Sequence, residues 1–567
     1  MASENTDSNN KKSPPQICNA CGKAGENLLC CARCKQAWYH DKTCQLDHFP
    51  KHKARCRQLV ALAEKPNIVT IDSEGQQTMA DGIQVMESED VGRACIATKE
   101  FHAGDTILLE PPAIVFDERA GYAGLFTAYL EASPKTQERI LKMYQPSDAK
   151  IERTLDDKRK RIREKRKQLL TTQYDQYITD HPDLQEKLPF SLAEKLLGVV
   201  DANAHAFQAN RTFDLVATPT NEVPRTYHAL FTLGSRVEHS CSPNATFITT
   251  GGKLEYIAEM SIQPGQRLCI SYLGSVYERP RIQRHQFLKQ NKAFLCKCAR
   301  CMGYDECAPM FCECDGGLMF HSGSREQWEC QSCGKQAAHD EFIANQLRGE
   351  AELFGKVRKF QRILQTNPYP EMLEEILAVV RTVQWKEVVH PLHWLNVEVY
   401  KLISSVAASA ARMYVKDQGV PVTADEVTSL LRLSSMSMLR HIIWMERTVA
   451  IDRGLLPYKD AVKVDENYGA FHHDRIGVET VETVIRDLCD PEKQWLKELG
   501  TLGVSQAYHA GQDLVLADHR DLALQIYKRY ETSFRRWDGL SDEVRDKIKA
   551  FIDSDGADNQ FGNFLLL

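Results

Sequence analysis

The chain has 567 residues, 43% hydrophobic and 26% charged, with a formal net charge of −6; at about 100–200 residues per domain, this length predicts three or four cores. So small a net charge gives no support for bulk binding to nucleic acid or to an anionic membrane, and no stretch approaches the roughly 18–20 apolar residues that cross a bilayer. The polar opening MASENTDSNNKKSPPQ lacks the apolar core of a secretory signal, so an intracellular location, cytoplasmic or nuclear, is expected. In a reducing compartment 19 cysteines clustered at one- and two-residue spacings point to metal rather than disulfides.

Residues 1–16 are expected to be disordered. Residues 17–57 carry Cys18-x2-Cys21, Cys31-x2-Cys34, His40-x3-Cys44 and His52-x3-Cys56. A tight knuckle presents two thiolates, and a spacing of four predicts both side chains on one helix face. Eight such ligands make two tetrahedral zinc sites, with Cys30 and His48 as rival ligands. A unit this small has too little core to fold without metal. The order of ligands resembles the MYND finger. That resemblance implies interleaved sites, Cys18, Cys21, His40 and Cys44 in one, Cys31, Cys34, His52 and Cys56 in the other. It also implies protein contact, with a proline-containing peptide as one class of partner. His40 stands where the family usually has Cys, and His48 where it usually has the Trp of the peptide surface.

Residues 58–75 read as a linker. In 76–121 the stretches Ile83–Ala97 and Phe101–Phe116 alternate around glycine turns, which predicts small antiparallel sheets. Residues 122–200 are poor in glycine and read as helical. Within them Lys158–Lys167 (KRKRIREKRK) is nearly all basic. It fits a nuclear localisation signal or a nucleic-acid contact, but no aromatics interleave, so a solvated, exposed helix is the expectation and direct nucleic-acid binding is not.

Residues 201–295 hold DANAHAF at Asp201–Phe207, GSRVEHSCSPNATF at Gly234–Phe247 and QPGQRLCISYLGS at Gln263–Ser275; AFLCKCARC follows at Ala293–Cys301. In this order they resemble a SET domain. Together with the finger, the chain resembles the SET-and-MYND family of protein lysine methyltransferases, as a variant whose finger precedes the SET domain. The resemblance implies S-adenosylmethionine as cofactor and a lysine-containing protein as substrate. By the same resemblance, Gly92, Arg93 and Ala94 form a cofactor loop, with Ala94 where the family usually has Gly. Asn203, Glu238 and His239 contact the cofactor, Glu238 standing where the family has Asn. Phe294 lies against adenine, Tyr272 borders the cofactor and supplies the catalytic hydroxyl, and Asn244 supports a threaded loop. Taken alone, Tyr272 reads as a core tyrosine and Asn203 as a helix cap.

Methyl transfer to an amine is an in-line displacement that needs aligned reactants and a neutral lysine, whose pKa of about 10.4 in water falls with desolvation and nearby positive charge. Lys292 stands where the family often has a channel-lining tyrosine. It is expected to point into solvent, because a second cation about 4 Å from a sulfonium at effective dielectric ~20 costs about 4 kcal/mol.

Cys296, Cys298 and Cys301 lie in a post-SET segment, 296–306; the resemblance implies Cys241 as their fourth ligand, with Cys307 the rival. Cys312, Cys314, Cys330 and Cys333, in 307–338, look like a zinc ribbon, which brings the expected zinc to about four ions. Cys95, Cys269 and Cys489 read as core residues.

Residues 339–553 show helical periodicity at Glu341–Leu364, Glu371–Gln384, Leu392–Val415, Ala424–Thr448, Val478–Cys489 and Val504–Ala517. Ser505–Tyr527 has a weak tetratricopeptide-like pattern. His472, His473 and His509 read as structural, and 554–567 as a tail. The expected fold is multidomain α+β: finger, β-rich SET domain with helical insertion, ribbon, all-α C-terminal domain. Two functions stand open, a protein-lysine N-methyltransferase and a zinc-rich adaptor with a degenerate site. Glu238, Ala94 and Lys292 favour the adaptor.

Overall fold

The computed structural model describes residues 16–18, 20, 24–25, 28–32, 38–49, 81–88, 92–145, 147, 152, 155–208, 226–250, 253–314, 317–337, 341–366, 371–458, 478–489, 503–536 and 542–557. The finger contributes two short antiparallel hairpins, Gln16–Ile17 with Ala24–Gly25 and Leu29–Cys30 with Trp38–Tyr39. A helix over 42–49 follows. Asp41 caps it, its Oδ1 accepting the Cys44 N–H at 2.8 Å. His40 therefore precedes the helix instead of sharing a helical face with Cys44, as the spacing predicts.

The β-rich part consists of small sheets, as the alternation predicts. Ile83–Ser88 pairs with Gly92–Ala97. Thr106–Glu110 and Ile114–Asp117 belong to different three-stranded sheets. Pro111 and Pro112 separate them, and residues without an N–H cannot carry the ladder onward. Thr106–Glu110 joins Lys253–Ala258 and Ala245–Thr250; Ile114–Asp117 joins Thr226–Leu230 and His205–Gln208. Ile107, Leu108, Phe231, Leu254, Tyr256, Leu268 and Ile270 fill the space between these strands.

Helices at Gly121–Glu131, Pro134–Leu141, Asp157–Asp180 and Phe190–Asn203 form the insertion. Leu125, Phe126, Leu170, Tyr174 and Leu196 make its core. The basic run opens the helix Asp157–Asp180, which Asp156 caps by accepting the Arg159 N–H at 2.8 Å.

Beyond a four-stranded sheet at 310–337, the described elements are helices. The predicted segment Glu371–Gln384 is two helices, Met372–Val380 and Val383–Val388. Thr382 starts the second by accepting the Trp385 N–H at 3.2 Å, and a side chain that caps offers the backbone an exit from the first helix. Trp394–Lys416 and Asp425–Asp452 are the long central pair, and Val504–Leu516 packs beside Arg520–Arg536. Among the described residues no helix is long and apolar enough to cross a membrane. His472, His473 and the tail from 558 onward lie outside the described residues.

The C-terminal helices reach back to the β-rich part. Glu278 accepts from His441 Nε2 at 2.6 Å and from the Lys401 ammonium. Burial pushes its carboxyl up, but the two cations outweigh burial and hold it at about 2. Arg279 pairs with Glu398 at 2.5 Å and lies over the Trp394 ring.

Candidate active site

The motif residues meet where two distant segments run side by side. Glu238–His239 pairs in parallel with Cys269–Ile270. The Ser240 N–H donates to the Ile270 carbonyl at 3.0 Å. Asn244 ties the same segments from the other end, its Oδ1 accepting the Cys269 N–H at 2.9 Å and its Nδ2 donating to the Arg267 carbonyl at 2.8 Å. Glu110 fixes the turn ahead of the motif: its buried carboxylate accepts the N–H groups of Leu233 and Gly234 at 2.9 and 2.7 Å and the Thr232 hydroxyl at 3.1 Å. Nothing in the sequence singled out Glu110.

Tyr272 emerges from this crossing. Its hydroxyl donates to the Val237 carbonyl at 2.7 Å, which leaves the oxygen lone pairs for a donor arriving from the cavity. Burial, then the Glu238 carboxylate, push its phenol well above the usual range, so it stays protonated. His239 holds the backbone beneath it. Its Nδ1 accepts the Tyr272 N–H at 3.0 Å, which puts the proton on Nε2, 3.3 Å from Cys241 Sγ. The imidazole thus positions the tyrosine, a role the motif alone does not reveal.

Cys241, Cys296, Cys298 and Cys301 bring their sulfurs within 4.8 Å of one another, and so do Cys312, Cys314, Cys330 and Cys333. Four thiolates at about 2.3 Å from zinc stand roughly 3.8 Å apart. The sulfurs stand 3.5 Å apart for Cys301–Cys241, 3.8 Å for Cys312–Cys333 and 3.7 Å for Cys314–Cys330, so both sets fit zinc. In the ribbon, a Cβ on Gly317 would come within 2.3 Å of Cys314 Sγ; only glycine leaves the knuckle open. Cys307, the rival fourth ligand, instead accepts from Arg300 at 3.2 Å. In the finger, Cys18, His40 and Cys44 converge. Cys31 is buried. Cys21, Cys34, His52 and Cys56, and the side chain of Cys30, lie outside the described residues. His48 instead meets the Tyr39 hydroxyl at 3.1 Å.

The family model for the SET domain matches residues 92–273, and that for the MYND finger matches 18–56. The chain carries a SET domain and a MYND finger. Its finger lies ahead of the SET domain. The human protein-lysine N-trimethyltransferase SMYD5 is 42% identical over 76 residues, 13% of this chain and 18% of its own. The mouse N-lysine methyltransferase SMYD2 is 23% identical over 51% of each chain. The human histone-lysine N-methyltransferase SMYD3 is 23% identical over 52% of this chain and 53% of its own. The matches therefore span less than a fifth of the first relative's length and about half of the other two.

Within the SET region a cavity of about 1640 Å³ opens over Tyr272. Asn203, Glu238, His239 and Phe294 line it with Tyr272. The His239 ring lies 5.2 Å from that of Tyr272 and 5.9 Å from that of Phe294. Asn203 is also a brace: its Nδ2 donates to the carbonyls of Tyr144 and Val199, both at 2.7 Å. Glu238 is not left as a bare carboxylate beside the cavity; Arg267 lies at 3.6 Å and the Cys269 thiol at 3.7 Å. Gly92, Arg93 and Ala94 are strand rather than loop, paired with Ser88, Glu87 and Met86. The Ala94 methyl is buried, which the absence of a second glycine permits.

Lys292 corrects the expectation from sequence. It lines the cavity, with its ammonium 5.6 Å from the Tyr272 ring centroid. Two local features offset the charge: the electron-rich ring face and the C-terminus of the helix Arg281–Lys292, which it ends. Burial still draws its pKa down, opposed by Asp201.

Proposed function

We propose that the chain is an S-adenosylmethionine-dependent protein-lysine N-methyltransferase whose finger contacts proteins. The observation that carries this reading is Tyr272, its hydroxyl fixed on Val237 and its backbone on His239, lining a cavity that Cys296 and Cys298 also border. The bound cofactor supplies the methyl group. Tyr272 Oη then accepts an N–H of the incoming amine and aims its lone pair; Phe294 and His239 offer ring faces, Asn203 an amide oxygen, and the cationic lining a partner for a carboxylate. Gly92, Arg93 and Ala94 complete the cofactor contacts in this reading through their backbone. The two finger sites, the post-SET site and the ribbon hold about four zinc ions.

The domain limits expected from sequence go with this reading, as do cytoplasmic or nuclear residence and a proline-containing peptide on the finger. A tetratricopeptide-like pairing of Val504–Leu516 with Arg520–Arg536 is supported by Gly511, where a Cβ would come within 2.5 Å of the Tyr527 ring. Lys292 over Tyr272 favours the second reading, an adaptor whose site no longer turns over. Calorimetric titration of the zinc-loaded full chain with S-adenosylmethionine separates the two: the enzyme binds it with micromolar affinity, and the adaptor gives no heat.

A further inference from the structure

The basic run of the insertion is not absorbed by the chemistry above. It forms a largely exposed helix, as expected from sequence, yet one face of it is turned to the active-site cavity. Arg159, Arg163, Arg166 and Lys167, spaced by about one helical turn or two, all line that cavity, and so do Lys292 and Lys297. The described lining residues comprise ten lysines and arginines against three carboxylates. Each carboxylate already lies beside a cation: Asp201 by Arg166 at 2.6 Å, Glu194 by Lys167 at 3.8 Å, Glu238 by Arg267 at 3.6 Å. The chain as a whole carries a net charge of −6. The positive field is therefore local to the cavity, where low-dielectric walls focus it.

We propose that this cleft selects target lysines embedded in acidic protein segments, the carboxylates around the lysine being held by the cationic wall of the helix Asp157–Asp180. The inference rests on the methyltransferase reading for its lysine. A lysine entering this cleft arrives as a cation among cations, so a segment rich in arginine or lysine is disfavoured, and carboxylates on either side reverse the sign of the encounter. Once the carboxylates are seated, the surplus positive charge around the amine promotes loss of its proton to solvent, which frees the lone pair that displaces the thioether from the methyl group. A protein partner is favoured over a nucleic acid because the cations line the same cavity as Tyr272 and no aromatic residue interleaves with the basic run to stack on bases.

Fluorescence anisotropy of the zinc-loaded full chain tests this with three labelled peptides of one length, their single lysine flanked by glutamates, glutamines or arginines, and with a single-stranded oligonucleotide. The glutamate peptide is expected to bind at least about tenfold tighter than the glutamine peptide at low salt, with the gap closing at high salt. Arg159→Glu with Arg163→Glu is expected to weaken the glutamate peptide about tenfold and improve the arginine peptide. Zinc content and thermal midpoint verify that the variant is folded. Equal affinity for glutamate and glutamine peptides, or a preference for arginine, overturns the proposal; so does an oligonucleotide that binds tighter than the glutamate peptide. Cofactor titration runs in parallel. If the glutamate peptide binds selectively but S-adenosylmethionine does not bind, the enzymatic reading fails and the charge selection stands. If the cofactor binds and the selectivity is missing, only the charge selection fails.

Discussion

The Tyr272 hydroxyl donates to the carbonyl of Val237 at 2.7 Å. This bond sets where the oxygen lone pairs point, and Phe at 272 removes both the bond and the lone pairs. Tyr272→Phe is expected to retain cofactor affinity within about threefold and to lower methyl transfer roughly a hundredfold or more, as loss of one preorganised polar group does. Leaving the Val237 carbonyl without its donor costs about 1–3 kcal/mol of stability. Single-turnover transfer and cofactor calorimetry on the same sample check this, and undiminished transfer would reduce Tyr272 to a packing residue.

Lys292 gives a test based on charge alone. A sulfonium bound in the cavity that Lys292 lines would be repelled by its ammonium; if the two charges stood about 8 Å apart at effective dielectric ~20, the cost would be about 2 kcal/mol, close to 30-fold. The product thioether is neutral and escapes that penalty. Lys292→Met is therefore expected to tighten S-adenosylmethionine about 30-fold while changing S-adenosylhomocysteine little. The ratio of the two dissociation constants isolates the effect, and an unchanged ratio would mean that the ammonium does not sense the donor.

The ribbon is open to metal counting. Gly317→Ala puts a methyl group within 2.3 Å of Cys314 Sγ, and the wild-type chain is expected to hold about four zinc equivalents. The variant should lose about one of them while the Cys241 cluster remains filled. Elemental analysis after gel filtration reads this; a variant with full zinc content would show that the knuckle can shift.

Asp513 predicts a pH dependence of stability. Burial pushes its carboxyl up to about 7, against a Ser434 hydrogen bond and the Arg412 charge that pull it down. A raised folded pKa means that its contribution is fully present below about pH 4, the unfolded value, and is lost as pH rises through about 7. Asp513→Asn abolishes this titration. Between pH 4.5 and pH 8 the variant should gain on the wild type by about 3 kcal/mol, read as a widening gap in thermal midpoints. A gap that does not change with pH would place the ionised carboxylate in a better-solvated setting than its burial indicates.

The order of motifs in the sequence carried the threaded crossing, because Asn244, Cys241 and Tyr272 act through local backbone geometry that short motifs encode. Cys18, His40 and Cys44 in the finger and the eight cysteines at 241–333 were legible for the same reason. What was not legible depends on tertiary direction. The inward turn of Lys292 follows from where its helix ends over Tyr272. The cavity-facing side of the basic run depends on how the insertion docks. Glu110 and Glu278 are single acids in apolar stretches, with partners more than a hundred residues away. The split at Thr382 was missed because apolar periodicity continues across it while the cap does not.

Glu278 follows Tyr272 by six positions, and its partners Lys401 and His441 stand 123 and 163 residues further along. Ending the chain after the ribbon would leave that carboxylate buried without its cations, a change that costs about 3–5 kcal/mol where it has been measured for such pairs. The half of the chain that carries the SET motifs is thus not a detachable cassette. An excised fragment or a chimera with a foreign C-terminal half would inherit the defect within six residues of Tyr272, unless the graft brought a lysine and a histidine to the same two places.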